Sequence, residues 1–198
     1  MKKVGIINFG SNNINSVVGA FEKIGCDVFI ISTNADLNRS DLIVLPGVGV
    51  FPEAIKYLEK QKLKIPLVNA IKRGKKVLGI CLGMQILAES SDELYFSKGL
   101  KVIPGKIKKI IKDNFNIGWS SINLRKYNKI FSIFNKKEFY FNHQFKYSGP
   151  EKYIISIVGS KEAIPSVIIH KNVIGVQFHP EKSQSNGLKF LTQVVDHF

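Results

Sequence analysis

The 198-residue sequence has little cysteine, few acidic residues and no long apolar run. Its two cysteines, Cys26 and Cys81, are too few for a disulfide framework, so we expect a reducing compartment and predict a cytoplasmic protein. No apolar stretch approaches the roughly 20 residues that a membrane-spanning helix requires. The first apolar stretch stops at Asn8, which is too short for a secretory signal. These absences argue against a disulfide-rich secreted protein and against a membrane protein.

Lysine and arginine outnumber the acidic residues by 29 to 15, which gives a net charge of +14. A charge of this size can indicate nucleic acid or another anionic partner. The lysines are scattered along the chain rather than grouped on one face. We therefore attribute the charge to overall composition and predict no nucleic-acid binding, while an acidic protein partner stays compatible with it.

Short apolar strands alternate with helical patterns in the first half of the chain. The continuous apolar run Leu42–Leu45 is typical of a strand that is covered on both faces. Such an alternation predicts a parallel sheet with right-handed crossovers. The predicted strands cover residues 3–8, 28–31, 42–45 and 77–80, and the predicted helices cover residues 14–24, 51–58, 65–73 and 84–89.

The second half is richer in strand patterns, with short turns between them. We expect these strands to add antiparallel neighbours to the same sheet. Neither an internal repeat nor a linker divides the chain, so we predict one domain over residues 1–198 with a three-layer α/β/α sandwich around a mixed, mostly parallel sheet. The predicted strands cover residues 106–111, 139–141, 153–158, 167–169 and 173–177, and a last helix covers residues 187–198.

Cys81 lies in the motif Gly79-Ile80-Cys81-Leu82-Gly83, between a predicted strand and a predicted helix. A nucleophile with glycines two residues away on either side matches the nucleophile-elbow pattern. The tight turn requires small flanking residues and projects the side chain at the carboxyl edge of the sheet, where α/β folds bind ligands. The N–H groups of the following helix favour a thiolate. The alternative is a buried structural cysteine, which describes Cys26 better.

A cysteine nucleophile needs a histidine to protonate its leaving group. Of the four histidines, His179 ends an apolar strand, which places it at the same edge of the sheet as Cys81. Glu181 lies two residues further on, which is the same side of an extended chain, and its carboxylate can orient the imidazole. We therefore predict a catalytic triad of Cys81, His179 and Glu181.

Acyl transfer also requires N–H donors for the oxyanion. The backbone N–H of Leu82, directly after the candidate nucleophile, can supply one. The segment Pro46-Gly47-Val48-Gly49 follows the third predicted strand and reaches the same edge, where it is either the second donor or a plain turn. This set of residues calls for no metal and no cofactor.

Three motifs resemble those of the class I glutamine amidotransferases, and the resemblance covers essentially the whole chain. Within this family the sequence is most similar to the glutaminase subunit of imidazole glycerol phosphate synthase, an enzyme of histidine biosynthesis. The motifs are Pro46-Gly47-Val48-Gly49, Gly79-Ile80-Cys81-Leu82-Gly83-Met84-Gln85 and Gln177-Phe178-His179-Pro180-Glu181-Lys182-Ser183.

The resemblance implies that Cys81 attacks the side-chain amide of L-glutamine and that His179, oriented by Glu181, protonates the departing ammonia. It also implies that Gly49 and Gln85 hold the glutamine and that the peptide between Gly47 and Val48 turns its N–H towards the oxyanion. Backbone groups of Gln144 and Phe145 are implied to contact the same substrate.

The resemblance further implies a heterodimer with a (β/α)8-barrel synthase/cyclase subunit. Ammonia would pass through a tunnel to that partner, which makes imidazole glycerol phosphate and AICAR. The sequence departs from the family pattern at residues 8–16 and 115–117, and at Ser120 and Gln144. These positions lie where the family meets its partner. Two alternatives therefore stay open: a divergent copy that supplies ammonia to an enzyme of surface-sugar synthesis, and a non-catalytic regulatory or binding subunit.

Overall fold

The structure is a computed structural model that describes residues 1–10, 14–110, 116–159 and 163–198. The strands are β1 (Lys3–Ile7), β2 (Asp27–Ile31), β3 (Leu42–Leu45), β4 (Lys76–Ile80), β5 (Ser90–Ser91), β6 (Ser97–Lys98), β7 (Lys106–Lys109), β8 (Asn116–Ser121), β9 (Asn123–Leu124), β10 (Glu138–His143), β11 (Phe145–Ser148), β12 (Ile154–Val158), β13 (Ile164–His170) and β14 (Val173–Val176). The helices are α1 (Ile14–Lys23), α2 (Asn34–Arg39), α3 (Phe51–Lys60), α4 (Lys64–Lys72), α5 (Leu82–Ile86) and α6 (Gln184–His197).

An eight-stranded sheet forms the centre of the fold, in the order β2-β1-β3-β4-β14-β13-β12-β9. The first five strands are parallel, and the last three add antiparallel neighbours. The ends of β3, β4 and β14 therefore lie side by side, with Leu45 opposite Gly79 and Val176 opposite Ile80. This register brings three loops together at the carboxyl edge of the sheet, which is where α/β folds bind ligands.

The sheet is covered on both faces, which confirms the predicted α/β/α sandwich. Side chains of successive strand residues point to opposite faces; in β4, Leu78 packs into one apolar cluster and Val77 into the other. Helices α1 and α6 cover the first face, and α2, α3, α4 and α5 cover the second. Parallel strands buried in this way have no polar face, which explains the continuous apolar runs of the sequence.

The elements predicted in the first half are confirmed, with small shifts at their ends. Helices α1 and α4 stop before Gly25 and Gly74, which have φ angles of 82° and 96°. Glycine adopts this left-handed conformation without strain, so it ends a helix readily. Helix α2 was not predicted, because its six residues show little apolar periodicity. Its N-terminus is fixed instead by a capping box between Thr33 and Asp36.

Two strands predicted to extend the main sheet lie elsewhere, so this part of the prediction is wrong. Strand β7 pairs with β11 and β5 in a separate four-stranded sheet, and β10 pairs with β8 in a two-stranded one. For β10, the reason is its aromatic face. Phe139 stacks on Phe178 with ring centroids 4.1 Å apart and also contacts Phe190 of α6. This strand therefore packs over a face of the main sheet instead of extending its edge.

The remaining strand predictions are confirmed within the main sheet: β12 and β14 match their predicted segments to within one residue, and β13 contains its segment. The last helix begins at Gln184, three residues before the predicted start. Residue 111, predicted as a strand end, lies outside the described residues. In the described part of the chain, no helix is long and apolar enough to cross a membrane, and no group of three or more potential metal-ligating side chains occurs.

Candidate active site

Cys81 occupies the turn between β4 and α5, with φ 47° and ψ −104°. These angles are unfavourable for a residue with a side chain, so the surrounding contacts must hold the turn in place. One such contact is the hydrogen bond that the N–H of Cys81 donates to the carbonyl of Val176, at 2.7 Å. The cysteine side chain is buried at the carboxyl edge of the sheet, as the nucleophile-elbow pattern predicted.

The glycines of the motif are required by close backbone contacts. A Cβ atom on Gly83 would lie 1.9 Å from the carbonyl oxygen of Leu45, and one on Gly79 would lie 2.7 Å from the carbonyl oxygen of Gly83. Both distances are far shorter than van der Waals contact. Helix α5 can therefore pack directly against β3 and β4 only if these positions are glycine. The helix also starts at Leu82, two residues before its predicted start, and ends at Ile86.

His179 and Glu181 form a buried pair beside this turn. The imidazole Nδ1 lies 2.8 Å from the Glu181 Oε1, and both side chains are about 1% exposed. The reason given for this pairing from the sequence was wrong, because the chain is not extended here. A 3₁₀ turn, Pro180–Lys182, begins directly after His179 and brings the glutamate back to the ring.

Ser183 helps to hold this turn against β10. Its hydroxyl donates a hydrogen bond to the carbonyl of His179 at 2.6 Å and accepts one from the N–H of Tyr140 at 2.9 Å. The N–H of His179 in turn donates to the carbonyl of Tyr140 at 2.8 Å. The backbone around the histidine is therefore fixed on both sides, which restricts the orientation of its ring.

The charge state of His179 depends on its two neighbours. Burial lowers the pKa of His179, but the sulfur of Cys81 and the carboxylate of Glu181 outweigh burial and raise it to about 10. The ring nitrogen Nε2 makes no hydrogen bond to another described group. Because Nδ1 is held by Glu181, the proton on Nε2 of the protonated imidazole can pass to a leaving group.

A cleft of about 250 Å³ opens next to Cys81. The structure brings to it every binding residue that was predicted from the sequence. Its lining consists of Gly47, Val48, Gly49, Cys81, Leu82, Gln85, Glu93, Asn142, His143, Gln144 and Phe145. A cleft of this size, lined by a buried cysteine, fits a small amino acid rather than an extended polymer.

The loop after β3 packs closely on the cysteine turn. A Cβ on Gly47 would lie 2.5 Å from the carbonyl oxygen of Ile80 and 2.9 Å from the Cβ of Cys81. Gly49 has a φ angle of 130°, which favours glycine. Leu82 is the first residue of α5, where helix geometry leaves N–H groups without intrahelical partners. Backbone donors from two loops can thus approach one oxyanion beside the sulfur.

Three cleft residues were not predicted from the sequence: Glu93, Asn142 and His143. Among the described lining residues, Glu93 carries the one carboxylate, and burial raises its pKa although the N–H of Phe51 donates to it at 2.8 Å. His143 is buried, and its Nδ1 donates to the carbonyl of Phe145 at 2.9 Å. Burial lowers the pKa of His143 to about 4. Glu93 lies in an irregular loop and His143 ends a short strand, so neither showed a recognisable motif.

The structure thus places a cysteine, a histidine and a carboxylate together at one edge of an α/β/α fold. Comparison with known proteins gives the family. The family model described as "Glutamine amidotransferase class-I" matches residues 5–196. The chain belongs to the class I glutamine amidotransferase family.

Individual relatives are consistent with this assignment. The chain is 41% identical, over 98% of its length and 94% of the relative's, to imidazole glycerol phosphate synthase subunit HisH 2 of Vibrio vulnificus (strain YJ016). It is 37% identical, over 94% and 91% of the two chains, to the HisH subunit of Listeria innocua serovar 6a. Among solved structures, PurLQS from Thermotoga maritima shares the fold, with a TM-score of 0.78, 20% identity and coverage of 99% and 98%.

Proposed function

We propose that this chain is a single glutaminase domain that hydrolyses L-glutamine to glutamate and ammonia through a thioester on Cys81. The observation that carries the proposal is the buried pair of His179 and Glu181 beside a strained cysteine turn that faces a cleft of amino-acid size. The family membership and the names of the HisH relatives support glutamine as the substrate.

In the first half of the reaction, the Cys81 sulfur attacks the side-chain carbonyl carbon of glutamine. The negative charge that develops on the oxygen is met by the N–H of Leu82 and by the loop of Gly47 and Val48. His179 transfers its proton to the amide nitrogen, the carbon–nitrogen bond breaks, and ammonia leaves the glutamyl thioester.

In the second half, His179 is neutral and accepts a proton from water. The hydroxide that forms attacks the thioester carbon, the carbon–sulfur bond breaks, and glutamate leaves. Glu181 holds the ring through Nδ1, so that Nε2 carries the proton in both halves. Every atom of glutamine and water is then accounted for in glutamate and ammonia.

The cleft contains a group that matches the amino end of the substrate. Glutamine carries an α-ammonium group, and Glu93 offers the matching carboxylate. Gln85 and Gly49 hold the rest of the substrate, with backbone groups of Gln144 and Phe145. Because Glu93 lies in the same cleft as Cys81, the substrate is anchored at one end and attacked at the other.

We infer that the ammonia is used by a (β/α)8-barrel synthase/cyclase subunit in a cytoplasmic heterodimer of histidine biosynthesis. The HisH relatives, which are named as subunits of imidazole glycerol phosphate synthase, support this partner. Imidazole glycerol phosphate and AICAR would be the products of the complex.

The proposal is tested with Cys81→Ala and the matched control Cys26→Ala, assayed for glutamate release in the presence of the barrel subunit and its nucleotide ligand. Cys81→Ala should lose at least about a thousandfold in kcat because the nucleophile is removed. Cys26→Ala should stay near the parent, since this buried cysteine lies in the apolar cluster under α1. Parent-like hydrolysis by Cys81→Ala would contradict the glutaminase mechanism and favour a non-catalytic subunit.

A second candidate is a divergent copy that supplies ammonia to a surface-sugar pathway. The observation that favours it is the similarity to the Vibrio vulnificus relative named HisH 2, to which this chain is 41% identical. The two candidates differ in the acceptor, not in the chemistry at Cys81. Glutamine-dependent formation of imidazole glycerol phosphate with the ordinary barrel subunit would support the histidine pathway, and its failure, with free ammonia still accepted, would support the divergent copy.

A further inference from the structure

Gln177 is a fully buried polar residue that the mechanism above does not use. It follows β14 directly and lies two residues before His179. Its side-chain Nε2 is 3.5 Å from the Sγ of Cys81. A buried amide must satisfy both its N–H and its carbonyl group, so its partners indicate what it does.

The orientation of the Gln177 amide follows from a backbone carbonyl. The carbonyl oxygen of Phe145 can only accept hydrogen bonds, so the atom of Gln85 that lies 3.2 Å from it is the nitrogen. The same nitrogen lies 3.4 Å from the side-chain oxygen of Gln177. The side-chain carbonyl of Gln177 therefore accepts a hydrogen bond from Gln85, and its N–H group must point to the sulfur of Cys81.

The start of this chain of hydrogen bonds is itself fixed. The Phe145 carbonyl also accepts the Nδ1–H of His143 at 2.9 Å, and Phe145 is paired with Lys109 in the ladder of β11 and β7. The order Phe145, Gln85, Gln177, Cys81 thus runs from a backbone group held in a sheet to the reacting atom. None of the amides along it can turn over without losing two hydrogen bonds.

We propose that Gln177 is a further catalytic residue, whose side-chain N–H donates a hydrogen bond to the sulfur of Cys81 and stabilises it as a thiolate. This inference rests on the proposed function, since it assigns Gln177 to the nucleophile of that reaction. When the sulfur–carbon bond of the thioester forms, the electron pair is shared with carbon and the hydrogen bond weakens. When that bond breaks, the pair returns to sulfur and the same N–H receives it.

A merely structural role for Gln177 predicts something different. If the residue only holds Gln85, its loss should raise the KM for glutamine but leave the reactivity of Cys81 unchanged. A small alkylating reagent such as iodoacetamide reacts with Cys81 without the contacts that hold the rest of the glutamine molecule. The pH dependence of its reaction with Cys81 therefore separates the two roles.

The experiment compares Gln177→Met, which is similar in size but offers no N–H, with the control Gln61→Met at an exposed position after α3. Both are made in a Cys26→Ala background, so that Cys81 alone is alkylated. Loss of a hydrogen bond to a charged group should move the midpoint of the pH profile up by about one unit. A less stabilised thiolate is also more nucleophilic, so the plateau rate at high pH should rise about threefold.

The control should keep the parent's midpoint and plateau. An unchanged midpoint in folded Gln177→Met, as judged by its circular dichroism, would overturn the inference. A second measurement on the parent covers the case in which the variant does not fold. The ¹⁵N–¹H signal of the Gln177 side chain, assigned by triple-resonance NMR, should shift when Cys81 is alkylated, and the absence of a shift would also overturn the inference.

Failure of this inference can be told apart from failure of the proposed function. If Cys81→Ala still hydrolyses glutamine, the glutaminase mechanism is wrong whatever Gln177 does. If Cys81→Ala is inactive but Gln177→Met has the parent's alkylation profile, the mechanism stands and only the role of Gln177 is wrong.

Discussion

His179 and His143 are both buried at the carboxyl edge of the sheet, yet their charge states are opposite. The pKa of His179 is raised to about 10, whereas that of His143 is lowered to about 4. His179 has a carboxylate 2.8 Å from its Nδ1, and His143 has a backbone carbonyl at 2.9 Å in the same place. A carbonyl dipole does not offset the cost of burying the charged form of His143, whereas the sulfur of Cys81 and the carboxylate of Glu181 do so for His179.

This difference assigns separate tasks to two chemically identical side chains. In the proposed mechanism, His179 carries at neutral pH the proton that ammonia needs on leaving. His143 stays neutral, with its proton on Nδ1 and an uncommitted acceptor at Nε2. The carbonyl of Phe145 thereby fixes the tautomer of His143, which lines the cleft as a neutral imidazole. The cationic imidazole of His179 interacts with Cys81 and Glu181 instead.

The largest expected effect comes from replacing each histidine by glutamine. His179→Gln should lower kcat for glutamine hydrolysis by about a thousandfold, because the general acid is lost. His143→Gln should change kcat by less than about tenfold, because this ring is not protonated in the reaction. Steady-state glutamate release measures kcat for both variants. Equal losses of kcat in the two variants would contradict the different roles proposed for the two histidines.

An intermediate effect concerns stability against pH. The pKa of His143 is about 4 in the folded protein and 6.5 when unperturbed, so protons bind the unfolded chain more tightly. The neutral His143 therefore contributes fully to the free energy of unfolding above pH 6.5. As the pH falls towards 4, this free energy decreases by about 3 kcal/mol. Urea unfolding at several pH values should show a flatter profile for His143→Gln than for the parent, and parallel profiles would contradict the buried neutral state.

The smallest expected effect is on the KM for glutamine, and it separates substrate binding from the chemical step. Glu93→Gln keeps an oxygen that can accept from the N–H of Phe51 but removes the negative charge. The KM for glutamine should rise about tenfold, with kcat nearly unchanged, since the lost ion pair is partly exposed to solvent. Exposed Glu22→Gln on α1 is the matched control. A fall in kcat without a change in KM would place Glu93 in the chemical step instead.

The sequence was most informative where backbone geometry and chemistry coincide in a few neighbouring residues. The glycines around Cys81 signal a turn that tolerates no side chain, and the apolar strands on both sides place that turn at the sheet edge. His179 could be paired with Glu181 because they are close in sequence, although the 3₁₀ turn that joins them was not foreseen. Short-range patterns of this kind depend little on the rest of the fold.

Long-range features could not be read in the same way. Residues of β10 alternate between buried and more exposed positions, as in an ordinary strand. Its packing over the sheet depends on rings that are distant in sequence, such as those of Phe178 and Phe190. Gln177 stood in a recognised motif without a role, because its partner Gln85 is 92 residues away. One available signal was its polarity in an otherwise apolar stretch, and a buried polar group calls for a partner.

The most direct test of the account is an NMR titration of the histidine side chains in the parent protein. The ring nitrogens of His179 should show the imidazolium pattern up to about pH 9, and those of His143 should show one neutral tautomer, protonated at Nδ1, down to about pH 5. At pH 7 the two rings would then differ by one full proton. Titration of both near their ordinary pKa would contradict the claim that Cys81 and Glu181 hold His179 charged.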